Sequence, residues 1–116
     1  MFNLKKNCKA ILAISLSSNP ELITACASDM GFKMIFKRLV EALVNKNDCI
    51  IYISTSGNNE NIIEAAKYTK NKNIYSIALT GNKGGQLAKF CNQSCMVRSN
   101  SVARIQEAHI FLLIIF

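Results

Sequence analysis

Apolar runs and helical periodicities alternate along this chain. The runs at 9–16, 49–53, 74–80 and 95–97 have the length and apolar content of strands. Apolar residues recur at helical spacing in 20–27, 32–44, 59–70 and 102–116, with a further short helix through Ala88 and Phe90. Strands that alternate with helices predict an α/β fold with a parallel sheet.

Two of these segments also predict which residues are buried. The run at 49–53 is apolar throughout, as is typical of a strand covered on both faces. The segment 32–44 is amphipathic, and its core-facing residues are predicted to be Ile35, Leu39, Ala42 and Leu43.

The turn after the run at 49–53 is the strongest candidate for a binding site. Its residues are Ser54, Thr55, Ser56, Gly57 and Asn58, and a helix follows with Asn58 or Asn59 as its N-cap. A helix N-terminus offers free N–H groups and a positive dipole end, to which the hydroxyls add neutral donors. The turn therefore predicts a phosphate site, with a capped helix and no ligand as the alternative.

Other polar residues are expected at the same edge of the sheet. Thr80 and Gly81 end the next predicted strand, and Ser99 follows the one after it. Ligands of open parallel sheets bind beyond the carboxyl ends of the strands, where these residues would lie. The chain has no GxxxxGK[ST] or GxGxxG motif, so the sequence does not indicate a nucleotide site.

Composition narrows the class of protein. The 116 residues suit one domain, and a net charge of +7 suits an anionic ligand or partner. The lysines are scattered and form no basic run with aromatics, so we predict no nucleic-acid binding. The five cysteines form no metal pattern and indicate reduced thiols in the cytoplasm. The apolar tail 110–116 is far shorter than the roughly 20 residues of a spanning helix, so no membrane partner is predicted.

Three motifs closely resemble the SIS domain family, and within it the phosphoheptose (sedoheptulose 7-phosphate) isomerases. They are ISTSGN at 53–58, ALTG at 78–81 followed by Gly84, Gly85, Leu87 and Ala88, and ARIQEAH at 103–109. The resemblance covers about residues 9–116, so the whole chain is interpreted as a single partial SIS domain. It implies a flavodoxin-like three-layer sandwich that assembles as a homo-oligomer, a tetramer in the family.

The resemblance also implies roles for individual residues. Ser54, Thr55 and Ser56 would bind the phosphate of a phosphorylated sugar, with Asn59 at the place of a further family hydroxyl. Asp29 would contact the sugar, or else only cap a helix turn. Gln106 would lie at the metal or substrate centre, or else would only be an exposed helix residue. The family suggests zinc at this centre, although the metal site is incomplete in this chain.

Departures from the family motifs concern catalysis and the sheet. The family's first, central strand, its N-terminal helices and its catalytic Glu segment have no counterpart here, so we expect a truncated domain. Either the predicted strands on the two sides of the missing one pair directly, or apolar strand edges stay open and favour association. Ile114 stands where the family has a catalytic His, Arg98 stands where a Pro is usual, and His109 is interpreted as structural.

The sequence thus predicts a sugar-phosphate-binding domain of the isomerase type. It assigns no catalytic residue, and we do not expect this chain alone to isomerise heptose phosphates at the rates of the family. The family works in heptose synthesis for lipopolysaccharide. Two alternatives stay open: a non-catalytic SIS module that binds a protein such as a replication initiator, and an inert remnant.

Overall fold

A computed structural model describes residues 10–115, with only the backbone of Ile115. The strands are β1 (Cys49–Ser54), β2 (Tyr75–Gly81) and β3 (Gln93–Val97). The helices are α1 (Pro20–Met30), α2 (Ile35–Leu43), α3 (Glu60–Asn71) and α4 (Val102–Ile115). Short 3₁₀ turns occupy Leu16–Ser18, Phe32–Met34 and Leu87–Lys89.

The three strands form one parallel sheet in the order β1-β2-β3. Each strand is followed by a helical segment, because parallel neighbours need a crossover connection. The register pairs Ser54 with Thr80, and Gly81 with Val97, so the carboxyl ends of all three strands meet at one edge. The predicted α/β class and parallel sheet are confirmed.

Helices cover the sheet on two sides. On one side, Val40 of α2 and Ala65 and Ala66 of α3 pack in the same buried cluster as Ile50 and Tyr52 of β1. On the other side, α4 packs on β2, where Ile105 lies directly over Gly81. The three layers agree with the predicted sandwich.

The prediction of a strand at 9–16 is wrong for the residues that the structure describes. Residues 10–15 have no regular structure and lead into the 3₁₀ turn Leu16–Ser18, while residue 9 lies outside the described part. Ile11 and Leu12 are 85% and 87% exposed. A strand needs a neighbour for its backbone hydrogen bonds, and among residues 10–115 no strand lies beside this segment.

The prediction that β1 is buried on both faces is also wrong. Burial alternates along β1, and Ile51 and Ile53 remain 40% and 46% exposed. The reason is position: β1 is an edge strand within the described part, and α4 reaches only β2 on that side. Of the two expected alternatives, the open apolar edge is therefore the one present in this structure.

The helix predicted at 32–44 is divided into a 3₁₀ turn and α2, and its buried face differs from the prediction. Ile35 and Leu39 are buried as predicted, but Val40 completes the face. Ala42 and Leu43 are exposed in the last turn of α2, which extends past the part of the helix that is buried. The final predicted helix matches α4, apart from residue 116, which lies outside the described part.

Candidate functional site

The turn between β1 and α3 is held by its own side chains. Ser54 Oγ donates to Asn59 Oδ1 at 2.6 Å and accepts from Gly57 N at 3.0 Å. Ser56 Oγ lies 3.3 Å from Asn59 Oδ1 and accepts from Asn58 N at 3.2 Å. This network shapes the turn before any ligand arrives.

Asn59 is the N-cap of α3, as one of the two predicted alternatives has it, but its side chain does not cap the helix. Its amide oxygen accepts from the two serine hydroxyls instead. Glu60 begins the helix, so the positive end of the α3 dipole lies at this turn.

The Gly-rich loop after β2 packs against the turn. Gln86 N donates to Asn58 Oδ1 at 3.0 Å, and Leu87 N donates to the Gly57 carbonyl at 2.9 Å. Gly57 itself has a φ of +67°, a conformation in which a side chain is unfavourable. The turn and the loop therefore form one rigid wall.

A cleft of about 660 Å³ opens at this edge of the sheet. That volume falls in the range of small-molecule sites, about 300–1,000 Å³. No acidic side chain lines it, and two cationic ones do. The lining residues are Thr55, Ser56, Asn58, Gly81, Asn82, Lys83, Gly85, Arg98 and Asn100.

The structure divides the four predicted phosphate ligands into two pairs. Thr55 and Ser56 line the cleft, and the Thr55 hydroxyl makes no hydrogen bond within residues 10–115. Ser54 is buried and Asn59 lies beside it, and neither lines the cleft. Within this conformation, Ser54 and Asn59 position the turn, while Thr55 and Ser56 line the cleft.

Asp29 and Gln106 lie apart from the cleft lining. Asp29 is exposed in the last turn of α1, which packs against the 3₁₀ turn Phe32–Met34. Lys33 of that turn pairs with Glu60 of α3 at 3.7 Å, which links this region to the start of α3. Gln106 is exposed on α4. Their roles toward a sugar stay predictions.

The residues that the structure describes do not fit a zinc site. In the described range 10–115, no three His, Cys, Asp or Glu side chains come together. Gln106 is exposed, and the only histidine, His109, is buried with Nε2 at 3.1 Å from the Thr80 carbonyl oxygen. Zinc stays a prediction of the resemblance, and its further ligands would have to come from elsewhere.

His109 occupies a structural position. It is 2% exposed beneath the sheet edge, and it does not line the cleft. Its Nδ1 and the Thr80 hydroxyl are buried without a hydrogen-bond partner in the described part of the chain. The geometry agrees with its interpretation as a core residue.

Sequence reasoning did not select Lys83 and Arg98 as ligand-facing residues. The sequence nevertheless contained a signal for these two residues, namely their position after a strand: Lys83 follows β2 and Arg98 immediately follows β3. In a parallel sheet these positions lie at the same edge as Thr55. Ser99, which was predicted to face this edge, instead accepts from Ser101 N at 3.1 Å in the loop before α4.

Fold and cleft together define an α/β domain with a ligand site suited to anions at the carboxyl ends of its strands. The family model for the SIS domain matches residues 9–114, and the chain belongs to this family.

Relatives that this chain resembles include phosphoheptose isomerases of several bacteria. It is 42% identical over 109 residues to the phosphoheptose isomerase of Campylobacter jejuni, with 94% of this chain and 59% of the relative covered. It is 47% identical over 107 residues to that of Cytophaga hutchinsonii, with 91% and 56% covered. The domain is therefore of the phosphoheptose isomerase type, and the chain spans just over half the length of these relatives.

Solved structures agree with this assignment. A phosphoheptose isomerase from Francisella tularensis superposes with a TM-score of 0.80 at 38% identity, over 87% of this chain and 54% of that one. One from Neisseria gonorrhoeae superposes with a TM-score of 0.82 at 38% identity, over 86% and 57%. Within residues 10–115, no helix has both the length and the hydropathy to cross a membrane.

Proposed function

We propose that this chain binds a phosphorylated sugar, with the phosphate at the turn between β1 and α3. The observation that carries the proposal is the cleft itself, in which Thr55 and Ser56 face two cationic side chains and no acidic one. Hydroxyls, a helix N-terminus and cations together suit a phosphate, which accepts several hydrogen bonds and carries charge. The phosphoheptose isomerase relatives support a sugar as the rest of the ligand.

A full-length protein of this type would interconvert an aldose phosphate and a ketose phosphate. It would do so in the cytoplasm, as a step of heptose synthesis. That reaction moves a proton between neighbouring carbons and needs a positioned base and acid. The cleft of this chain is lined by no carboxylate and no imidazole. The residues that line the cleft can hold the phosphate and orient the sugar, but none of them is a carboxylate or imidazole base.

The test is thermal unfolding of the purified chain with and without sedoheptulose 7-phosphate. A ligand that binds only the folded state stabilises it by about 2.7 kcal/mol at a concentration of 100 Kd. We expect the phosphorylated sugar to raise the unfolding midpoint and unphosphorylated sedoheptulose to leave it unchanged. The same shift with both sugars, or no shift with either, would contradict the phosphate site.

Two variants locate the effect. Thr55→Val and Ser56→Ala remove hydroxyls that line the cleft, and both should reduce the ligand-induced shift. Thr24→Val is the matched control, because Thr24 lies on α1 and its hydroxyl bonds only the carbonyls of Pro20 and Glu21. An isomerase assay on the same samples should show no turnover at the rates of the family.

We also infer that copies of the chain associate. Ile51 and Ile53 are exposed on the face of β1 that α4 leaves open. On α4, three apolar side chains are each at least 60% exposed, namely Ile110, Phe111 and Ile114. Exposed apolar residues on an unpaired strand edge and on a helix favour association. Light scattering on the purified chain should therefore give a mass above 12.9 kDa, whereas a monomer at all concentrations would contradict this inference.

A further inference from the structure

Residues 10–15 and the strand β1 each lack a neighbour that the other could provide. Residues 10–15 form a six-residue run, AILAIS, which has the apolar content of a strand but no regular structure. The strand β1 is also six residues long, and within residues 10–115 it pairs only with β2. Its other edge therefore presents unpaired backbone N–H and C=O groups, to which an extended segment can bind.

The side chains of the two segments are complementary. Burial alternates along β1, and Ile51 and Ile53 are exposed on the face that α4 leaves open. In an extended segment, Leu12 and Ile14 would also lie on one face, since successive side chains point to opposite sides. These two side chains are 87% and 64% exposed. Beside β1 they would form cross-strand apolar pairs with the two isoleucines, and such pairs stabilise a sheet.

The open edge of β1 has none of the residues that usually protect an edge strand. Exposed edges commonly carry lysine, other charged side chains or proline, which prevent a further strand from pairing. Neither β1 nor the run at 10–15 contains a charged residue or a proline. The register between β1 and β2 is also continuous, so no bulge twists this edge away. Both segments are therefore suited to pairing with another strand.

A second copy of the chain is the occupant that these observations favour. Residues 10–15 do not pair with β1 of the same chain, and Leu16, which follows them, packs against the buried cluster of its own chain. Each chain thus carries one unpaired segment and one open strand edge. Two copies can satisfy both by reciprocal exchange, as in domain swapping.

We propose that residues 10–15 of one copy add as a strand to the open edge of β1 in a second copy, with Leu12 and Ile14 beside Ile51 and Ile53. The proposal rests on the association of copies inferred under the proposed function, and it names the segment that makes the contact. The three-stranded sheet of each chain then gains one strand, and the apolar run that is exposed in the single chain becomes covered.

Light scattering and amide hydrogen exchange over a range of chain concentrations test this contact. Exchange is followed by mass spectrometry on peptides that cover residues 10–15 and β1. As the mass rises above the 12.9 kDa of one chain, both peptides should exchange at least about tenfold more slowly, because pairing gives their amides hydrogen-bond partners. The peptide that covers β2 is the internal control, because β2 already has a neighbouring strand on each side.

Substitutions in the run assign the association to this segment. Leu12→Lys should weaken association at least about tenfold, because a buried leucine contact is lost, and should leave the fold of the single chain intact. Leu22→Lys is the matched control, because Leu22 is also exposed but lies on α1. Ala13→Pro should disrupt the added strand, whereas Ala10→Pro should have a smaller effect, because proline is tolerated at the first residue of a strand.

The failure of this contact and the failure of association can be told apart. A chain that stays monomeric at every concentration would overturn both. An assembly that leaves residues 10–15 unprotected, or that forms equally well in Leu12→Lys and Ala13→Pro, would overturn the strand exchange but not the association. Protection of both peptides that does not depend on concentration would place the run on β1 of the same chain, and would overturn the second copy as the occupant.

Discussion

Replacing Gly57 by alanine tests whether the turn between β1 and α3 and the Gly-rich loop after β2 act as one rigid wall of the cleft. At the φ of +67°, an L-residue costs about 1–2 kcal/mol. An alanine Cβ would also lie 2.7 Å from the carbonyl carbon of Gly84, and still closer to its oxygen. Overpacking of this kind costs about 1–3 kcal/mol more, so Gly57→Ala should lose about 2–5 kcal/mol of unfolding free energy.

Gly31→Ala is the matched control. Gly31 also has a positive φ, +85° with ψ at 152°, but a Cβ there would meet nothing within 4 Å. This control carries only the backbone cost, about 1–3 kcal/mol. Because the backbone cost at Gly31 is at least as large as that at Gly57, any greater loss of stability in Gly57→Ala reports the collision with the loop.

The assay combines urea unfolding, followed by far-ultraviolet circular dichroism, with titration of sedoheptulose 7-phosphate. We expect Gly57→Ala to lose more stability than Gly31→Ala and to bind the sugar phosphate at least about tenfold more weakly, because the collision displaces a cleft wall. Gly31→Ala should keep its affinity. The reasoning fails if both variants lose the same stability and bind equally well.

Three further predictions follow from buried polar groups. Burial raises the pKa of Tyr52 to about 12 from an ordinary value of 10. The folded state thus favours the neutral phenol. This preference contributes about 2–3 kcal/mol to the free energy of unfolding, a contribution that is complete below pH 10 and should be lost as the pH rises through 12. The loss with pH should be absent in Tyr52→Phe. Thr80→Val removes a buried hydroxyl without a partner among residues 10–115 and should raise the urea midpoint, whereas Thr69→Val removes a bonded hydroxyl and should lower it. Ser54→Ala leaves the buried Gly57 N–H without its acceptor and removes the shorter of the two hydrogen bonds to the Asn59 amide oxygen, so it should cost about 1–3 kcal/mol in urea unfolding, more than Ser56→Ala at an exposed position.

Local sequence signals were sufficient for most elements. The run at 49–53, the turn after it and the helix from Asn59 appear in the structure within a residue or two of their predicted bounds. These elements rest on signals that lie within one segment, namely apolar runs, small-residue turns and helical spacing. Motif matches added the family, which the SIS model over residues 9–114 confirms.

The wrong predictions concern neighbours that a local pattern does not specify. The apolar run at 10–15 is not a strand, because no partner strand lies beside it among residues 10–115. Ile51 and Ile53 were predicted to be buried, but they sit on an edge strand that α4 does not reach. Apolar character shows that a segment tends toward burial, but the elements around it decide whether burial occurs.

The candidate site shows the same division. Residue types alone identified the hydroxyl turn at 54–56, since hydroxyls and a helix N-terminus indicate anion binding wherever they occur together. Only the tertiary structure placed Ser54 behind the turn and Thr55 in front of it, because that depends on which side of the strand end the cleft opens.

By itself, the sequence determined the α/β class, the SIS family and the hydroxyl-rich turn for which anion binding is predicted, since each is encoded by nearby residues. The tertiary structure decided that Lys83 and Arg98 share a cleft with that turn, and that the described residues gather no metal cluster. These facts depend on strand order and register, which bring together side chains that lie far apart along the chain.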